Sequence, residues 1–132
     1  MTNREALLGV LDRHAQDIID GRVEEEWWSY SGFAHGISAS IFALSRWNQQ
    51  MPSEERAQHA VKILLERLHE FDNGESWESQ ISGEGSRNGV WCHGTAGISL
   101  ALAAVQVWMP ELSARADLER AVHHALHEGT GR

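Results

Sequence analysis

The string Trp91-Cys92-His93-Gly94 places the only thiol of the chain beside an imidazole, just ahead of an apolar run; His35-Gly36 opens an earlier run in the same way. A cysteine at the edge of a helix N-terminus has its thiolate favoured by the positive end of the helix dipole, and zinc takes thiolate and imidazole ligands. Against a metal stands the ligand count, since zinc needs three or four donors and no second cysteine exists. From spacing alone a lone cysteine in a helical chain reads first as a small buried side chain, and a nucleophile with a histidine base lacks an orienting partner. If both His-Gly starts point into one central cavity, His35 stands beside Cys92, an imidazole near a thiolate and placed to move a proton. Read alone, His35 is a capping or core histidine.

The other six histidines fall within or at the ends of amphipathic stretches. His123, His124 and His127 gather in a last turn, where the helix dipole alone accounts for them. Glu24-Glu25-Glu26 reads as a solvated loop face. Trp27, Trp28 and Tyr30 either line a peptide groove or pack their loop down.

Helices must position these groups. Leu7, Leu8, Leu11, Ala15, Ile18 and Ile19 share a stripe at helical spacing, which predicts a helix over about 4–20 stopped by Gly21. Residues 22–34 carry no period and read as a loop with aromatic anchors. From His35 to Trp47 small residues dominate and charge is scarce, the mark of an inner, buried helix. Met51-Pro52-Ser53 breaks the chain. Ser53 then caps an amphipathic helix with Ala57, Ala60, Val61, Leu64, Leu65 and Leu68 on its apolar face, ending near the turn Phe71-Asp72-Asn73-Gly74.

This pattern recurs. A shift of 58 residues places His35-Gly36 on His93-Gly94, Ala43-Leu44 on Ala101-Leu102, Met51-Pro52 on Met109-Pro110, and Leu68-His69-Glu70 on Leu126-His127-Glu128. Matches in one order at one offset indicate two copies of a helix-turn-helix unit, at about 33–71 and 91–129. The irregular segments ahead of the two His-Gly starts should lie at one end of the assembly, where a helical scaffold carries its chemistry. Two hairpins and a leading helix do not close a core, so the chain reads as an interior piece of something longer.

Composition bounds the partners. With 132 residues, 42% hydrophobic and 23% charged, the chain is one small globular domain. Eleven basic against 19 acidic residues give a net charge of −8, and Lys62 is the one lysine, which argues against nucleic acid as a partner. A single cysteine fits a reducing compartment, and neither a membrane span nor a secretory signal is present, so the expected location is cytoplasmic.

Three strings together carry a resemblance: SGFAHG at 31–36, LHEFDNGESW at 68–77 and VWCHGTAGISLAL at 90–102. They are similar to successive landmarks of the lanthionine synthetase C-like family, closest to the C-terminal cyclase domain of bifunctional type II lanthipeptide synthetases. The resemblance extends over nearly the whole chain, and Trp91–Ile98 is its most specific part. It implies an all-α fold, here a partial α/α toroid of roughly five helices. It also implies a zinc-dependent cyclase that adds cysteine thiols of a dehydrated precursor peptide to dehydroalanine or dehydrobutyrine, closing lanthionine or methyllanthionine rings. Carried over by motif position, Cys92 is the candidate zinc ligand, and His35 and His93 are the candidate catalytic residues, His35 resembling the acid/base at the cavity.

The departures are specific. The family's later Cys-His-Gly, which supplies the other cysteine and the histidine ligand, has no counterpart, so the remaining zinc ligands are absent from this chain. At the first motif HGISAS carries Ala39 and Ser40 where the family has Gly and Ile. The expected partners are therefore the precursor peptide and either the missing remainder of a synthetase or a second copy. The alternatives are a non-catalytic helical remnant or peptide-binding module, and a glycan-processing α/α barrel. The last would want a carboxylate pair facing the cavity, which neither His-Gly start carries.

Overall fold

In the computed structural model the first helix, α1 (Asn3–Ile19), opens on a reciprocal cap: the Thr2 hydroxyl accepts from the Glu5 amide and the Glu5 carboxylate from the Thr2 amide. It closes where the sequence places its stop. Gly21, at φ 77°, donates to the Ile18 carbonyl and Arg22 to that of Asp17, the paired bonds of a left-handed C-terminal cap. The structure describes residues 2–33, 36–80, 95–112 and 114–128. Among them the fold is all-α, with five further helices: α2 (Glu25–Trp28), α3 (Ser38–Trp47), α4 (Glu54–His69), α5 (Thr95–Trp108) and α6 (Arg115–Glu128).

Two local readings differ from expectation. The segment 22–34 is not wholly irregular, because Trp27 and Trp28 ride on the single turn of α2, too short to show a period. The inner helix expected from His35 begins at Ser38. Ahead of it the Tyr30 and Gly32 carbonyls take the amides of Ile37 and Ser38, so the chain turns back on itself before it winds. Ser53 caps α4 as expected, its hydroxyl accepting from the Arg56 amide. The turn after α4 is built by Asx bonds: Asp72 accepts from the Gly74 amide and Asn73 from those of Glu75 and Ser76.

The helices pack in the order α1, α4, α3, α5, α6, each against the next. Helix α5 is the most apolar, burying Thr95, Gly97, Ile98, Ala101, Leu102, Ala104 and Val105. Its small residues let it lie close to α3, whose Ile41 and Leu44 are fully buried. These two inner helices run parallel: the Asn48 amide at the end of α3 reaches the Trp108 carbonyl at the end of α5, and the Arg46 guanidinium lies over the rings of Trp47 and Trp108. Met51 and Met109 are both buried at the breaks that follow.

The outer helices match less closely than the 58-residue shift implies. Leu68 is 3% exposed and Leu126 60%. Helix α4 starts two residues beyond Pro52, whereas a 3-10 turn at Pro110–Leu112 delays α6 to Arg115, five beyond Pro110. Three extra residues leave the helix faces offset by about 60° and one turn out of step, so Leu126 occupies the helical position of the partly buried Leu65 rather than that of buried Leu68.

Candidate functional site

Because α3 and α5 run parallel, their N-termini share one end of the bundle. The chain ahead of α3 is clamped there by buried serines. Ser31 donates through its amide to the Ser79 carbonyl at 3.0 Å and through its hydroxyl to that of Glu78 at 2.7 Å. The Ser38 hydroxyl donates to the Ser31 carbonyl. Gln80 bridges antiparallel to Tyr30 and donates to its phenol oxygen at 2.6 Å. The segment that follows α4 and the segment that precedes α3 thus form one platform. Both serines are fully buried, so their bonds hold the loop without competition from water.

Gly36 fits this loop by size. A Cβ there would overlap the Tyr30 carbonyl and stand 2.7 Å from the Gly32 nitrogen. At the matching start of α5, buried Thr95 meets the Nδ1 of His124 at 3.0 Å through its hydroxyl. On the other flank, His14 of α1 pairs through Nε2 with the Ser40 hydroxyl in the first turn of α3 at 2.9 Å, and stands edge-on to Trp27 at 5.3 Å.

His35, Cys92 and His93 lie outside the described residues. Gly36, which follows His35, and Thr95, the first described residue after His93, are at the same end. Among the described residues no three or more histidine, cysteine or acidic side chains converge as metal ligands. These residues alone do not fit zinc, and the metal expectation rests on Cys92. Nor is any helix among them long and apolar enough to cross a membrane.

Two histidines gain partners that their sequence positions did not announce. His124 reads from sequence as a last-turn residue on the helix dipole, yet it reaches the start of the neighbouring inner helix. For His14 the spacing, three residues after Leu11 and four before Ile18, marks partial burial beside the stripe of α1 but does not name Ser40 as its partner.

Burial holds the His14 imidazole below its ordinary pKa, with the Asp17 carboxylate opposing. The consequence for stability has a definite sign. Above the unfolded value of about 6.5, folded and unfolded chains both carry neutral His14; below it the unfolded chain binds a proton that the folded one resists. Stability is therefore lost as pH falls through that window. Urea midpoints should fall between about pH 7.5 and 5.5, and fall less in His14→Gln. Equal slopes in the two proteins would remove this role from His14.

The family model described as lanthionine synthetase C-like protein matches residues 5–132. No curated protein and no solved structure matches the chain.

Proposed function

Since the chain belongs to the lanthionine synthetase C-like family, we propose that it is part of a zinc-dependent peptide cyclase, acting on a dehydrated precursor peptide in the cytoplasm. The observation that carries this reading is the parallel packing of α3 and α5, which brings the starts of both His-Gly helices to one end of the bundle. In the reaction a cysteine thiol of the peptide loses its proton and its sulfur bonds to the β-carbon of dehydroalanine or dehydrobutyrine. The π pair moves onto the carbonyl as an enolate, and a proton returns to the α-carbon.

For that return a group must sit on a rigid support, since proton transfer depends on reach. The clamp of Ser31, Ser38 and Gly36 supplies such a support for the loop that carries His35, and we assign His35 the proton at the α-carbon. Cys92 is assigned to zinc, with His93 beside it and further donors from a chain or segment beyond those described. Zinc supplies a lowered thiol pKa when bound.

A second reading, a non-catalytic helical module, draws on Val107 and Leu126, apolar residues 66% and 60% exposed. Zinc content per chain separates the two. The cyclase reading expects about one zinc per chain, lost in Cys92→Ala, and ring closure on a dehydrated peptide that His35→Ala slows while zinc stays bound. A wild-type protein without zinc would leave the helical module.

A further inference from the structure

Arginine over indole recurs in this fold. Arg46 lies 4.6 Å from the ring centre of Trp47 and 4.4 Å from that of Trp108. Arg67 stands 4.8 Å over Trp28, and Arg120 4.1 Å over Trp77. Among the described tryptophans Trp27 is the exception. Its ring neighbours are His14, edge-on, and Trp28 at 6.0 Å, and no cation of the described chain stands over it.

Trp27 instead helps line a cavity of about 350 Å³ with His14, Asp17, Arg22, Val23 and Glu24. That volume falls in the range of small-ligand pockets. The charges at its rim do not balance. Arg22 is committed to Asp17 at 3.2 Å and Asp20 at 3.0 Å. Glu24 precedes α2 without any side-chain capping bond. Two lining carboxylates, Asp17 and Glu24, thus face one lining guanidinium that Asp20 also engages from outside, and burial keeps His14 toward its neutral form. An anionic guest would be repelled, and a purely apolar one would strip water from carboxylates without repaying them. A cation with an apolar stem satisfies both the indole face and the excess negative charge.

We propose that this cavity binds an arginine or lysine side chain of a peptide, the cation seated on Trp27 and paired with Glu24. The cavity flanks the start of α3 through the His14–Ser40 bond, so a peptide anchored there lies beside the clamped His-Gly loop. That the guest belongs to the substrate rests on the preceding reading; the pocket's preference for a cation does not.

The test is an NMR titration with acetyl-Gly-Arg-Gly-amide and its citrulline isostere, followed at the Trp27 indole N–H, which the Trp27→Leu variant assigns. The arginine peptide should shift that resonance saturably, with the citrulline peptide about tenfold weaker. Glu24→Gln, a surface change that leaves the helices intact by circular dichroism, should weaken the arginine peptide several-fold. Equal binding of the two peptides, no saturable shift, or indifference to Glu24→Gln would each overturn the proposal. Because no ring closure is measured, a protein that binds the peptide but holds no zinc keeps this site while losing the cyclase reading.

Discussion

Gly36→Ala is expected to destabilise the chain by about 2–4 kcal/mol and to loosen the loop that carries His35. The added methyl would fall on the carbonyl carbon and oxygen of Tyr30 and 2.7 Å from the Gly32 nitrogen. All three are backbone atoms, which cannot swing aside as a long side chain would. They are also fixed from several directions. Tyr30 holds the Ile37 amide through the same carbonyl, Ser31 is tied to Glu78 and Ser79, and Ser38 is tied back to Ser31. Relief of the clash must break one of these buried bonds, at roughly 1–3 kcal/mol for each group left unpaired.

Gly9 is the control within the same molecule. It lies at an exposed position of α1, with nothing within 4 Å of an added Cβ, so Gly9→Ala should stabilise by about 1 kcal/mol. Urea unfolding of the two variants, followed by circular dichroism, reads the contrast directly. A Gly36→Ala midpoint equal to that of wild type would mean that the loop yields, and that its rigidity cannot support a proton-transfer role for His35.

The features legible in the sequence are those with local causes. Gly21 ends α1 because the two bonds of a left-handed cap are made within six residues. Ser53 caps α4 through the amide three residues on, and the Asp-Asn-Gly turn bonds to itself. The family was legible too, because strings such as Trp91–Ile98 combine residue types that a helical face alone would not select. What escaped has distant causes. Helix α3 starts late because residues 78–79 hold Ser31, some 47 positions away, and the chain must fold back before it winds. His14 finds Ser40, and His124 finds Thr95, across helix pairs that periodicity cannot orient. The mismatch of Leu68 and Leu126 arises from a three-residue difference in linker geometry that leaves the letters aligned and the faces rotated. His35, Cys92 and His93 were found by motif alone, and their chemistry stands as a proposal.

Arg120→Met should cost about 2–3 kcal/mol, a loss that acid removes. Arg120 grips both carboxylate oxygens of Asp72 at 2.8 and 2.6 Å, and its guanidinium covers Trp77 at 4.1 Å. The Asp72 side chain is 13% exposed and that of Arg120 28%, so solvent screens this pair far less than an ordinary surface pair. Truncation at Arg120 leaves a nearly buried carboxylate with only the Gly74 amide and a distant His69, while methionine preserves much of the stem's packing. Asp72→Asn should cost less, because Arg120 keeps Asp117 at 3.3 Å. The double variant should cost less than the two single losses added together, since the shared bond is lost once.

The pH dependence identifies the charge. The hydrogen bonds from Arg120 hold the Asp72 carboxyl below its ordinary pKa against the opposing effect of burial, with the Gly74 amide assisting. A carboxyl with a depressed folded pKa contributes stability that is fully present above the unfolded value of about 3.9 and is lost as pH falls through the folded one. Wild type and Arg120→Met should therefore differ most at neutral pH and converge below the usual carboxylate range. A gap that stays constant into acid would show that Arg120 acts through its contact with Trp77 alone. The pair also bears on the candidate site. The turn it pins to α6 leads directly into Ser79 and Gln80, which hold Ser31 and Tyr30, so release at Arg120 should reach the clamp around Gly36. Faster amide exchange at Ser31 and Ile37 in Arg120→Met would register that transmission, and unchanged exchange there would confine the pair to joining the outer helices.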